Sequence, residues 1–222
     1  MGSRPPLLHE LAITLRAPTV CLSALDGQLR GSDAQGVLAG DVRVLGYAVV
    51  TVDGVEPEPI AHGSDGASSE HFIGLLRDLG DPGRDPTVWL RRDRTVVAEG
   101  MREMFTLINR SSEDLTAEIG LAVGTDLASL ATIRAGVPAP ADAAAVAVSL
   151  DAPDADATPD GLRWIVDVPA RSSASVSWSL SVHDTGAVVV PADVGLDRTL
   201  AIQADDPRLA TLLDCALDDL DA

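Results

Sequence analysis

The chain contains no lysine: its 16 basic side chains are all arginines, set against 34 Asp and Glu for a net charge of −18. No stretch gathers those arginines into a stripe able to neutralise several phosphates. Nucleic acid and anionic membrane surfaces are therefore excluded as expected partners, and the acidic surface reads as a solubility device. Aromatic residues make up 3%, too few to build an autonomous sugar-binding module easily. The two cysteines, Cys21 and Cys215, lie near opposite ends without the close spacing of a zinc or redox motif, so both are expected to be buried free thiols. No apolar run approaches the roughly 20 residues that span a bilayer. Residues 1–10 lack both a basic n-region and a continuous apolar h-region, so no secretory signal is read and a cytoplasmic location is expected. What is there, 222 residues at 46% hydrophobic, suffices for one large β-domain or two small ones.

The dominant period is two, which sends alternate side chains to opposite faces of a sheet. Val176, Trp178, Leu180 and Val182 alternate with Ser175, Ser177, Ser179 and Ser181. Leu115, Ala117, Ile119, Leu121 and Val123 interleave with Thr116, Glu118 and Gly120, and Leu162, Trp164, Val166 and Val168 with Arg163 and Asp167. These patterns predict half-buried antiparallel strands. Turn residues punctuate them: Asp26-Gly27 and Asp53-Gly54 predict tight hairpins, the second after a run over 42–51. The polar segment 109–114 predicts a third hairpin, joining the strand through Met101, Glu103, Phe105 and Leu107 to the one starting at Leu115. Segments 61–70 and 151–160 read as loops. The expected fold is all-β, an antiparallel β-sandwich of supersandwich-like form.

One segment departs from this period. Leu209, Leu212, Leu213, Ala216, Leu217 and Leu220 fall at helical spacing, with Asp206 as N-cap and Pro207 at the first helical position. The domain reading is a lead-in over 1–15, the sandwich over 16–204 and a single C-terminal helix over 205–222. The broad apolar face of that helix needs a partner, either the sandwich flank or further helices.

Two stretches carry a family resemblance. LDGQLRGSDAQGVLAGDVRVLGYAVVTVDGVEPEPI (25–60) resembles, in its order of hairpin, Gly-Ser-Asp turn, Asp-x-Arg strand and Val-Asp-Gly hairpin, the N-terminal domain of bacterial and archaeal-type glycogen-debranching enzymes of the amylo-α-1,6-glucosidase family. WLRRDRTVVAEGMREMFTLINRSSEDLTAEIGLAVGTDLASLATIRAG (89–136) resembles the paired strands that follow in the same domain. The resemblance implies a non-catalytic domain of a glycoside hydrolase, supporting a catalytic (α/α)₆ barrel in cis or in trans, with α-glucan as a candidate ligand. Such enzymes hydrolyse α-1,6 branch points with a carboxylate pair. The barrel that would position that pair is not read here, so no residue is assigned as catalytic and the chain alone is expected to be inactive. The helix over 205–222 is read as the start of the barrel. The alternative is a free-standing β-sandwich interaction module without carbohydrate activity.

Candidate site residues are few. Trp164 and Trp178 lie in the apolar register of their strands and are expected in the core. Trp89, between Val88 and Leu90, has a face that alternation leaves undecided, with core favoured over a surface platform. Trp89 and Tyr47 are the candidates for glucan contact. Asp151, Asp154, Asp156 and Asp160 lack the order of a calcium loop and read as solvated. His9, His62, His71 and His183 are scattered singly, and no metal or cofactor motif is read. Asn109-Arg110-Ser111 reads as a polar turn. Asp41 and Arg43, two apart on one strand, are expected to form an ion pair. The apolar helix face is expected to mediate self-association.

Overall fold

A computed structural model describes residues 8–31, 34–83, 85–141, 143–187, 203 and 205–221. The lead-in before residue 8, Ser32 and Asp33 of the Gly-Ser-Asp turn, and most of the stretch 188–204 lie outside the described residues. A 3₁₀ turn (Leu8–Glu10) leads to β1 (Ala12–Arg16), β2 (Thr19–Ser23), β3 (Leu29–Arg30), β4 (Gly36–Ala39), β5 (Val42–Leu45) and β6 (Tyr47–Val52). There follow β7 (Glu58–Ser64), β8 (Ser69–Leu75), β9 (Val88–Val97), β10 (Gly100–Asn109), β11 (Leu115–Gly124) and a short helix α1 (Leu130–Arg134). Then come β12 (Val146–Asp151), β13 (Asp156–Thr158), β14 (Gly161–Val168), β15 (Ser173–Asp184) and α2 (Pro207–Asp221).

The strands form three antiparallel sheets, ordered β1-β2-β4-β5, β12-β15-β10-β9-β8-β7 and β13-β14-β11-β6-β3. The six-stranded sheet is one layer. The other two sheets face it, β1 and β2 lying against β8 and β9, and β14 against β10 and β15. The run 42–51, continuous in the sequence, is divided at Gly46, whose N–H donates to the Gly124 carbonyl at 2.9 Å. Backbone thus passes from the four-stranded to the five-stranded sheet in one residue, and the facing layer is a joined pair. Its inner residues Cys21, Val44, Ala48, Val50, Ile119 and Trp164 meet Val88, Leu90, Phe105 and Trp178 in one core. Phe105 packs edge-on to Trp164, with ring centres 6.2 Å apart.

The all-β sandwich and the single long helix agree with the sequence reading. Three predicted hairpins do not. Asp26-Gly27 reverses the chain, with Gly27 N–H to Ala24 O at 2.9 Å, but β2 and β3 belong to different sheets. Asp53-Gly54 closes a tight turn between Val52 and Val55, after which β7 joins the opposite layer. Segment 109–114 likewise carries the chain from the six-stranded to the five-stranded sheet. Turn residues fix a reversal, and a reversed chain in a two-layer fold can arch across to the facing sheet as readily as pair with the strand it left. The loop expected over 61–70 is a β7–β8 hairpin, and that over 151–160 contains the three-residue β13.

Tight hairpins do occur between β9 and β10, where Val97 pairs with Gly100 across Ala98-Glu99. Gly100 has φ +145°, and a Cβ there would lie 2.0 Å from the Leu180 carbonyl oxygen of β15. Gly40, also at positive φ, has open space at the same position. Gly100→Ala should therefore cost at least about 2 kcal/mol, and Gly40→Ala distinctly less. Urea unfolding of the two variants measures the difference; equal costs would contradict this packing.

Candidate functional site

On the inner face of the six-stranded sheet, alternation places charges where a core expects apolar groups. β9 buries Val88, Leu90, Arg92, Arg94 and Val96, and β10 buries Met101, Glu103, Phe105 and Leu107. Register sets Glu103 opposite both Arg94 and Trp178, and Glu70 opposite Arg94. One row thus reads Trp178, Glu103, Arg94, Glu70, with charge alternating from strand to strand. Arg92 Nε and Nη2 donate to the two Glu103 oxygens at 2.8 and 2.9 Å, and Arg94 Nε donates to Oε1 at 2.8 Å. Trp178 Nε1 donates to Oε2 at 3.0 Å. Four donors fill the capacity of the carboxylate.

The arginines then reach the facing layer. Arg94 Nη1 donates to Ser23 Oγ at 2.8 Å and Nη2 to the Gly27 carbonyl, while Arg92 Nη1 donates to Gln28 Oε1 at 2.9 Å. Gln28 itself pairs with β6 as a strand would, Nε2 to Val50 O at 2.8 Å and Val50 N–H to Oε1 at 2.9 Å. Phe72 and Phe105 stack on Arg94 and Arg92 at 5.0 and 5.6 Å, replacing part of the lost hydration. Among the described residues no buried side-chain nitrogen or oxygen lacks a partner. Burial pushes the Glu103 carboxyl up, but Arg92 and Arg94 together hold it below its ordinary value of 4.5. A carboxylate that is enclosed, fully bonded and held ionised has no proton to give and no free lone pair. Its role is to fix the two arginines that tie the layers together.

The sequence-derived candidates disperse. Trp89 lies on the outer face of the six-stranded sheet, half-buried between the inward Val88 and Leu90, so its favoured core placement is corrected. Tyr47 is 39% exposed on the outer face of the opposite layer, since Ala48, Val50 and Val52 point inward. The two rings therefore share no site. Trp164 and Trp178 are buried at 2% exposure each, as expected. Arg43 is buried but bonds Asp126, with Nε to Oδ1 at 3.0 Å, and does not pair with Asp41, which is exposed. The reason is direction: Arg43 points into the layer, where Asp126 of the loop after β11 supplies a carboxylate. Cys21 is buried, and burial raises its thiol; Cys215 is exposed, correcting the expectation of two buried thiols.

Asn109 is fully buried. It donates from Nδ2 to Glu113 O at 2.9 Å and accepts from Ser111 N–H and Oγ, so the polar turn is an internal staple. Asp151 ends β12, Asp154 sits in a turn at φ +61°, and Asp156 pairs with Arg163. Among the described residues no three His, Cys, Asp or Glu side chains converge as metal ligands. His71 meets Asp65 at 3.0 Å and His62 meets Glu70 at 3.4 Å, as separate pairs. The outer face of the six-stranded sheet holds a groove of about 440 Å³ lined by Asp93, Arg102, Met104, Asp151 and Ser177, with Glu103 and Trp178 beneath it.

Residues 15–147 match the family model for the N-terminal domain of some glycogen debranching enzymes, well over half of the chain. The chain belongs to that family. No curated protein matches it closely enough to mark a relative. The debranching-enzyme match ends within β12, yet the sandwich continues: β14 pairs with β11 and β15 with β10, and Trp178, a ligand of the buried carboxylate, comes from this later part.

Removing one member of a buried ionic cluster leaves the others unpaired in low dielectric, at a cost of about 3–5 kcal/mol. Glu103→Ala should lose that much in urea unfolding at pH 7, and Glu103→Gln less. Because the folded pKa lies below 4.5, the stabilisation from Glu103 is complete above that value and is lost as pH falls through the folded pKa. Wild type should thus lose more stability than Glu103→Gln between pH 6 and pH 3. Parallel losses would sink the assignment.

Proposed function

We propose that this chain acts as the non-catalytic N-terminal domain of an amylo-α-1,6-glucosidase-like glycoside hydrolase, buttressing a catalytic (α/α)₆ barrel in cis or in trans and shaping one wall of its glucan cleft. The family match over 15–147 carries this reading. The carboxylates support it: hydrolysis of a glycosidic bond needs two carboxyl groups facing each other across a cleft, one of them free to exchange a proton. Glu103, the most enclosed acid of the core, is committed to three cationic or N–H partners.

The C-terminal helix supports a partner. Asp206 caps α2, its Oδ1 accepting from Arg208 N–H at 3.0 Å, as the sequence predicted. Leu217 is buried, while Leu209, Leu212 and Leu220 are 43, 65 and 73% exposed. An exposed leucine stripe is a surface that association would cover, and the barrel is the occupant that the family reading supplies. In the absence of a barrel the same stripe would drive self-association of the chain.

Two measurements test this. The pure chain should release no reducing sugar from branched glucan; turnover abolished by a single Asp or Glu substitution would overturn the reading. In light scattering, Leu212→Asp should shift the chain toward monomer while changing unfolding free energy by no more than about 0.5 kcal/mol, as expected at an exposed site. Leu217→Asp should instead destabilise the helix. A wild type that is monomeric and fails to bind a debranching-enzyme barrel would argue for the free-standing module.

A further inference from the structure

We infer that the outer groove of the six-stranded sheet binds α-glucan, centred on Arg102, Met104 and Asp151. This rests on reading the chain as a debranching-enzyme domain and adds a site to it. Register builds the groove. Asp151 lies opposite Ser179, Ser179 opposite Arg102, and Arg102 opposite Thr95. The four side chains form one row across β12, β15, β10 and β9, about 14 Å long at the usual strand spacing. In the adjacent row Met104 stands between Ser177 and Asp93. Its 44% exposure leaves an apolar spot amid hydroxyl and charged groups.

The chemistry fits a neutral polyol. Sugar hydroxyls both donate and accept, and bonds to charged planar groups are the stronger ones. Arg102 and Asp151, both exposed, have no hydrogen-bond or ion-pair partner among the described residues, so a guanidinium and a carboxylate are open to a ligand. Asp93 is held in place by Arg91, Nε to Oδ1 at 2.9 Å. With Arg91 beside the groove neutralising Asp93, the exposed charges left in the lining are Arg102 and Asp151, which balance on a chain of net charge −18. A volume of about 440 Å³ lies in the range of small-ligand sites, roughly 300–1,000 Å³. Below it, Glu103 and Trp178 are locked into the ionic cluster, so the floor is rigid. Trp89 lies on the same face, four residues along β9 from Asp93 and roughly 13 Å away, where a longer glucan would leave the groove.

The test is retardation of the whole 222-residue chain in native gels containing glycogen, with maltoheptaose titrations by calorimetry. Wild type should be retarded; Arg102→Ala and Asp151→Asn should each weaken binding about tenfold, the worth of a charge-assisted hydrogen bond. Both side chains are exposed, so melting temperatures should stay unchanged. Tyr47→Ala, on the opposite layer, should bind as wild type. Absence of retardation, wild-type affinity in both groove variants, or loss confined to Tyr47→Ala would overturn the proposal. A chain that ignores glucan yet binds a debranching-enzyme barrel would defeat the groove and leave the domain reading intact; glucan binding without barrel association would do the reverse.

Discussion

The carboxylate of Glu103, closed in by Arg92, Arg94 and Trp178, is the interaction on which the sandwich turns. Two guanidinium groups and a carboxylate are costly to take from water, and such a cluster often contributes no more than apolar residues of equal volume would. What it supplies here is position. Arg92 and Arg94 spend their remaining donors on Gln28, Ser23 and Gly27 of the facing layer, so the segment between β2 and β3 can dock in only one way. A shift of one residue in β9 would bring Arg91 and Asp93 inward in place of Arg92 and Arg94, setting a second carboxylate near Glu103 and breaking the cluster. Apolar packing alone would penalise such a slip less sharply.

The cluster also depends on its cations being arginines. Each arginine makes three bonds in different directions from one planar group, Arg92 to Glu103 and Gln28 and Arg94 to Glu103, Ser23 and Gly27, a geometry a single ammonium on a flexible stem cannot reproduce. Phe72 and Phe105 lie against the guanidinium groups, and flat cations stack on rings better than ammonium does. The family match covers β9, β10 and Gln28, but the fourth donor to Glu103 is Trp178 of β15. The structural unit is therefore longer than the matched segment, and β14 and β15 belong to the same cooperative core.

Much of this was legible in the sequence. Period-two patterning gave β11, β14 and β15 with their buried faces, the helix with its Asp206 cap, and Trp164 and Trp178 in the core. Even Glu103 appeared in the inward register between Met101 and Phe105, and Val88, Leu90 and Val96 frame Arg92 and Arg94 in the same way. That signal was readable, but a charge on an apolar face gains meaning only when its partner is known, and the pairing of β9 with β10 is long-range information. The arches failed for a related reason. Asp-Gly marks a reversal, while the layer that receives the next strand depends on which sheet still has an open edge. Trp89 was ambiguous because Arg91 and Arg92 follow it, and the second of these, not the first, proved to be inside.

Burial of charge also shapes the outer surface. Among the described residues Arg43, Arg92 and Arg94 are buried, against Glu70 and Glu103, so the solvent-facing surface is slightly more acidic than the composition suggests. Such a field repels polyanions and attracts basic partners over several ångströms, but it exerts no net force on an uncharged polymer. Affinity for a neutral glucan must therefore arise from short-range hydrogen bonds and apolar contact, at a place where donors and acceptors are both free. A sheet face meets that requirement only if its side chains are held apart and its floor does not yield. Cross-strand register sets the spacing of Asp151, Arg102 and Met104, and the bonded row of Glu103 and Trp178 directly below prevents the floor from relaxing. The interior charges and the exterior groove are in this way two faces of the same strands, β10 and β15.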